Sequence, residues 1–307
     1  METGGDSGMS GGERRLCSRL GLSAADAEAL VGAMQRGDAS RSAVVLAPNA
    51  PEGYEPPFPC EKEVPAWLPP RVYLPAAGER PALHADYAAG RYYILDASSC
   101  WEGAALGAVA APPARSLDLC AAPGGKSMLL GARFGYAHAH TANEVSAARR
   151  GVLRRNLLQC GWESARVTGL RPDQWAAGGE KFDLVLVDAP CSGQSLLAKG
   201  IKNPGCLGAG MVGGNAKRQR GIMLAAVRCV APQGHLLYST CTYDPEEDER
   251  VAAYILKRHA GWRAVEIPAL SAFQSTLAPF PAYRLLPQHG FGAGGFCCLL
   301  QNTDEPS

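Results

Sequence analysis

Two cysteines stand where a chain could use them chemically. Cys191 follows an apolar run that ends in an aspartate (FDLVLVDAPCSG, residues 182–193), and Cys241 ends another (HLLYSTCTYDPEEDE, residues 235–249), fifty positions later. Either cysteine alone reads as a small buried hydrophobe. The matched placement, each beside polar residues at a strand end, points instead to a thiolate nucleophile and a partner. A third segment, LDLCAAPGGKS (117–127), carries a buried strand into a turn with Gly124 and Gly125, after which a helix can start. Such a turn lets the backbone approach a ligand and offers free N–H groups to a carboxylate. The next strand ends in Asn143 and Glu144, the acid lying 20 positions after Gly124, the spacing that puts a carboxylate on ribose hydroxyls. The turn lacks the GxGxxG spacing of a dinucleotide site, and the GxxxxGK[ST] of a phosphate loop is absent. S-adenosylmethionine fits better, with an amino-acid carboxylate for the turn and an adenosine for the acid.

These residues need strand ends that share one face. Apolar runs at 116–120, 139–143, 166–170, 182–188 and 235–240 alternate with helical stretches, the pattern of an α/β fold with a mostly parallel sheet covered on both faces. In an open sheet of this class the carboxyl ends face the ligand crevice, so Asp188, Cys191 and Cys241 should converge. Late runs at 283–286 and 296–300, the latter holding Cys297 and Cys298, suit a closing antiparallel pair. Ahead of the sheet, residues 1–15 are Gly- and Ser-rich and read as a mobile tail. Ser23 and Asp26 form a capping box for a helix with Ala27, Leu30, Val31 and Met34 at helical spacing, stopped by Gly37. Prolines over 48–81 predict an extended connector. The expected division is a tail to 15, a small helical and extended region over 16–80, and a catalytic domain over 81–302.

Composition sets limits. With 307 residues, 47% of them hydrophobic, a sizeable core is expected, and a formal charge of +1 means that attraction to nucleic acid must come from a local patch. The eleven cysteines include no CxxC pair, so neither a zinc site nor a disulfide framework is expected, and unpaired thiols suit a reducing, cytoplasmic setting. No apolar run approaches the roughly 20 residues that span a bilayer. The expected protein is soluble, metal-free and monomeric.

Together, DLCAAPGGK, DAPCSG and YSTCTYDPEED resemble the Sun/Nop family of RNA cytosine-5 methyltransferases. The resemblance takes in YYILDASSC (92–100), NPG and NAKRQR between the cysteines, and YRLLPQHGFGAGGF (283–296), and so covers about residues 80–301. It implies a Rossmann-like methyltransferase sheet in which Cys120, Ala121, Ala122, Pro123, Gly124, Gly125, Lys126 and Glu144 hold S-adenosylmethionine. It also implies that Asp188 touches cofactor and base and that Cys241 is the nucleophile. Arg171 and Pro172 depart from the acid and glycine that the family usually has after the third strand, leaving Asp173, two places late, as the adenine-side candidate. Leu95 stands where the family often has Gln.

Carbon 5 of cytosine is a poor nucleophile, and a thiolate added at carbon 6 makes it an enamine carbon able to take a methyl group. In that chemistry Asp188 would stabilise the adduct at ring N3, Lys126 would supply positive charge, and Cys191 would assist release. DNA cytosine-5 enzymes carry a Glu-Asn-Val motif that is absent here, and amino-group methyltransferases carry an [ND]PP[YFW] motif where this chain has DAPC. A non-catalytic RNA-binding or ribosome-assembly factor would have lost Cys241, Asp188 or the glycine turn. Lys199, Lys202, Lys217, Arg218 and Arg220 form the densest basic cluster and are expected to meet RNA phosphates. Arg149, Arg150, Arg154 and Arg155 read as the outer face of a helix. An unstacked cytosine is required. Ribosomal RNA is favoured, because PALHADYAAGRYY (81–93) resembles the bacterial-type rRNA enzymes and no RNA-binding domain follows Gln301; transfer RNA remains open.

Overall fold

The computed structural model describes residues 8–305. Of the tail expected over 1–15, residues 1–7 lie outside the described residues, but Gly11 already begins a helix, α1 (Gly11–Leu20). The Ser10 hydroxyl accepts from the Glu13 N–H at 3.3 Å, and the Glu13 carboxylate accepts from the Ser10 N–H at 2.5 Å. This capping box satisfies N–H groups that the first turn leaves open. Leu16, Cys17 and Leu20 then pack with Leu30, Val31 and Met34 of α2 (Ala24–Arg36) against Tyr243 and Leu286. α2 starts at the Ser23 cap and ends at Gly37, whose φ of 67° is the left-handed conformation of a helix stop.

β1 (Ser42–Leu46), β2 (Val72–Tyr73) and β3 (Tyr92–Asp96) form an antiparallel sheet in the order β2-β1-β3. β1 escaped the sequence reading because SAVVL is buried on both sides and shows no alternation. The 48–81 connector is irregular apart from β2 and short turns. Because β1 pairs with β3, in the register Ser42 opposite Asp96, the small sheet bridges the boundary drawn at 80. Short helices α3 (Ala85–Ala88) and α4 (Ala97–Gly103) flank β3.

The large sheet is built from β4 (Arg115–Asp118), α5 (Gly125–Phe134), β5 (Ala139–Asn143), α6 (Ala147–Gln159), β6 (Arg166–Thr168), α7 (Pro172–Gly178) and β7 (Phe182–Asp188). α8 (Ser195–Ala198), α9 (Ala209–Val227), β8 (Val230–Thr240), α10 (Glu249–Arg258), β9 (Trp262–Val265), β10 (Tyr283–Leu285) and β11 (Gly295–Asn302) complete it. The order is β10-β11-β8-β7-β4-β5-β6, with β9 also on β11. β4 to β8 run parallel, and β11 is antiparallel to β8, β9 and β10. The expected strands are present, β8 starting earlier, at Val230, and β6 ending earlier, at Thr168. Leu184 and Leu186 face one core layer while Val185 and Val187 face the other, as a doubly covered sheet requires. Each such fully buried side chain contributes roughly 1.5–3 kcal/mol.

Candidate active site

β7 and β8 lie side by side, Asp188 opposite Ser239, so the loops after them leave the sheet together. Cys191 and Cys241 meet there, with their Sγ atoms 3.2 Å apart. The two loops are tied by polar contacts: the Glu247 carboxylate accepts from the Ser192 N–H at 2.8 Å and from Gln219 at 2.9 Å, and the Gln194 side chain accepts from the Tyr243 N–H at 3.0 Å. A hydrogen bond from Cys191 holds the Cys241 thiol below its ordinary pKa, against burial and the Asp188 charge, with Lys126 and the Ser195 hydroxyl helping. The same bond, together with burial, holds Cys191 up as the protonated partner.

Asp188 is not alone at the strand end. Its Oδ1 lies 2.6 Å from the Lys126 ammonium, and the same ammonium lies 2.5 Å from a carboxylate oxygen of Glu102 in α4. Burial opposes the Lys126 charge, but the Asp188 and Glu102 carboxylates outweigh it and raise the pKa. Burial pushes Glu102 up to about 8, although Lys126 pulls the other way.

The glycine turn leads from β4 into α5. Gly124, at φ 120°, is the N-cap and gives α5 no side-chain cap, so the first N–H groups of the helix keep no such partner. α6 fastens the turn, Asn156 donating to the Pro123 carbonyl at 2.8 Å and Arg149 to the Ala122 carbonyl at 2.7 Å. Glu144 is buried; its carboxylate accepts from the Ser146 N–H at 2.8 Å and pairs with Arg149 at 3.1 Å. Arg149 is therefore not merely on an outer helix face. Placed on the first turn of α6, it lies within reach of both Glu144 and the turn, whereas Arg154 and Arg155 are exposed as expected.

A cleft of about 930 Å³ takes in Cys120, Ala122, Glu144, Asp188, Cys191 and Cys241, with Asp173 and Arg218 also along it. A neighbouring cavity of about 200 Å³ takes in Ala121, Pro123, Gly125, Lys126 and Lys199, and shares Cys120, Ala122 and Asp188. Of the residues expected at the cofactor, Gly124 lines neither, its Cα facing Leu153 and Leu157. Asp173, exposed at the start of α7, pairs with Arg171 at 3.2 Å.

The basic cluster divides. Arg218 faces the cleft, and Lys199 pairs with Asp96 at 3.3 Å beside the smaller cavity. Lys202 and Lys217 are exposed and line neither. Arg220 turns to α10 and stacks over Tyr254, 5.4 Å from the ring centre, because two positions on a helix differ by about 200° in direction. Sequence reasoning missed Glu102 and Glu247. Glu247 lies inside the quoted PEEDE run, whereas Glu102 carries no local signal. Among the described residues there is no His, Cys, Asp and Glu group that could hold a metal ion, and no helix is long and apolar enough to cross a membrane.

Residues 110–301 match the family described as 16S rRNA methyltransferase RsmB/F. Ribosomal RNA small subunit methyltransferase F of Enterobacter sp. (strain 638) is 36% identical over 227 residues, which are 71% of this chain and 46% of that protein. The protein of the same name from Klebsiella pneumoniae (strain 342) is 37% identical over the same shares. The chain spans about half the length of the curated relatives it matches. A methyltransferase homolog protein from Pyrococcus horikoshii superposes with a TM-score of 0.73 at 20% identity, over 96% of this chain and 100% of that one. NSun6 from Pyrococcus horikoshii, solved with SFG, gives 0.74 at 15% identity, over 95% and 98%. At such identities the likeness is one of fold.

Proposed function

Because this chain belongs to the RsmB/F family of 16S rRNA methyltransferases, we propose that it methylates carbon 5 of a cytosine in small-subunit ribosomal RNA, with S-adenosylmethionine as donor. The observation that carries this reading is the Cys191–Cys241 pair, 3.2 Å apart in the same cleft as Glu144 and Asp188. The residues present suit the donor. The cleft, at about 930 Å³, has room for a nucleoside and a target base. Glu144 would accept from ribose hydroxyls, and the uncapped start of α5 would take the amino-acid carboxylate. S-adenosylmethionine supplies an electrophilic methyl group on a sulfonium.

The chain's own residues do the rest. Cys241, its thiolate favoured by the Cys191 hydrogen bond, adds to carbon 6 and forms a C–S bond. The displaced electron pair reaches ring N3, where the Asp188–Lys126 pair supplies a hydrogen bond and positive charge. Carbon 5 then takes the methyl group. Water takes the carbon 5 proton as the C–S bond breaks with its electron pair on sulfur, which returns Cys241 as a thiolate, and the Cys191 S–H stands beside it to stabilise the departing sulfur. Arg218 at the cleft, with Lys199, Lys202 and Lys217 outside it, would hold RNA phosphates.

Incubation with methyl-labelled S-adenosylmethionine and small-subunit ribosomal RNA should place label in 5-methylcytosine. Label in another base, or none in any RNA, would sink the assignment, and label in transfer RNA alone would correct the substrate.

A further inference from the structure

Lys126 is shared between a carboxylate that the proposed reaction uses, Asp188, and one that it does not, Glu102. Glu102 comes from α4, the helix that follows the small N-terminal sheet, and is only 2% exposed. Burying a carboxylate in a core is costly unless a charge or hydrogen bond compensates it. The fold makes room for this one. A Cβ at Gly295 of β11 would come within 2.2 Å of Glu102 Oε1, so the space that a side chain would fill on that strand is occupied by the carboxylate. Apart from Lys126, the titratable groups that bear on Glu102 are Asp188 and Cys241 at the strand ends, Cys297 of β11 and Cys100 of its own helix.

We propose that Glu102 is a positioning residue for methyl transfer, anchoring the Lys126 ammonium from behind so that it stays on Asp188 and setting the charge that Cys241 experiences. A lysine side chain has about 2 kcal/mol of rotamer freedom to lose, and one partner at the strand end leaves it free to swing. Two opposed carboxylates, at 2.5 and 2.6 Å, fix it.

The inference rests on the proposed reaction, and its test has one arm inside that reaction and one outside it. In steady-state methylation, Glu102→Leu should lower kcat at least about tenfold, with KM for S-adenosylmethionine within about twofold. Glu102→Gln, which keeps an oxygen facing the Lys126 ammonium, should recover most of the rate. Circular dichroism and thermal melting establish that both variants are folded. Equal losses in the two variants, or an unchanged kcat in Glu102→Leu, would overturn the proposal. Outside the reaction, the rate of Cys241 alkylation by iodoacetamide, followed by mass spectrometry across pH, should show its midpoint move to lower pH in Glu102→Gln, because a negative charge facing the thiolate is gone. An unmoved midpoint would also overturn it. If the wild-type protein methylates no RNA, the functional reading fails by itself and the alkylation arm alone decides on Glu102.

Discussion

The Sγ atoms of Cys191 and Cys241 lie 3.2 Å apart although fifty residues separate them, because each follows one of two adjacent parallel strands that end at the same level. At this distance the hydrogen bond favours a thiolate on Cys241 and a retained proton on Cys191, the division that the proposed reaction needs. Cys241→Ala should therefore abolish both methyl transfer and any covalent protein–RNA complex. Cys191→Ala should leave attack and transfer possible and slow release, so that a denaturant-resistant complex accumulates that requires S-adenosylmethionine. A denaturing gel with labelled RNA reads both outcomes. A complex that forms in Cys241→Ala and is lost in Cys191→Ala would reverse the roles.

Glu144 is held by the Ser146 N–H and Arg149, an arrangement that fixes its carboxylate at the cleft. Glu144→Ala should weaken S-adenosylmethionine binding about ten- to hundredfold, since hydrogen bonds to a charged acceptor contribute roughly 1.5–3 kcal/mol. Titration calorimetry measures this directly, and unchanged affinity would remove Glu144 from the site.

Arg218 and Arg220, two residues apart, should behave differently. Arg218→Ala, at the cleft, is expected to weaken RNA binding and to flatten the dependence of log affinity on log salt by about one unit. Arg220→Ala removes a stack on Tyr254 and should lower the melting temperature while leaving the salt slope alone. Equal slopes in the two variants would refute the division.

At the opposite ends of the strands, the Ser116 hydroxyl sits between His138 Nε2, at 2.9 Å, and His140 Nδ1, at 2.8 Å, and His140 stacks on Trp162. Burial first, and then His138, lower the His140 pKa from 6.5 to about 3. Its neutral form is therefore the folded one, and the unfolded chain takes up the proton first. The stability that this contributes is complete above pH 6.5 and is lost as pH falls towards 3. Urea unfolding of wild type and His140→Gln should show their difference in stability shrink by about 2 kcal/mol between pH 7.5 and 5.0. Glu102 and Asp118, raised by burial to about 8 and about 7, give the opposite slope in both proteins and cancel in the difference. A difference that does not change with pH would show that folding leaves the His140 pKa where it stands in the unfolded chain.

The parts legible in the sequence were those with local patterns. The five parallel strands announce themselves as apolar runs bounded by turns, and their shared carboxyl ends are what bring Asp188, Cys191 and Cys241 together. What stayed hidden depends on docking. The few apolar positions of α1 matter only once α2 and Tyr243 are beside them. Whether Arg149 faces solvent or Glu144 is decided by how α6 lies on the glycine turn. Glu102 stands 24 residues before Lys126 on another element, and no spacing rule links them. The side on which Arg220 falls follows from the rotation of α9 against α10, which a count of basic residues ignores.

β8, the strand that delivers Cys241, is flanked by β7 on one side and by β11 on the other, with Thr240 paired to Phe296. During synthesis β7 exists before β8, but β11 starts only at Gly295, so the backbone of β8 faces an open edge for the time it takes to make more than fifty further residues. Such an edge can pair with any strand that reaches it. The loop that carries Cys241 therefore gains its final setting only after Gly295 has been made, and a nascent chain stalled before that point would expose an adhesive strand beside the cleft.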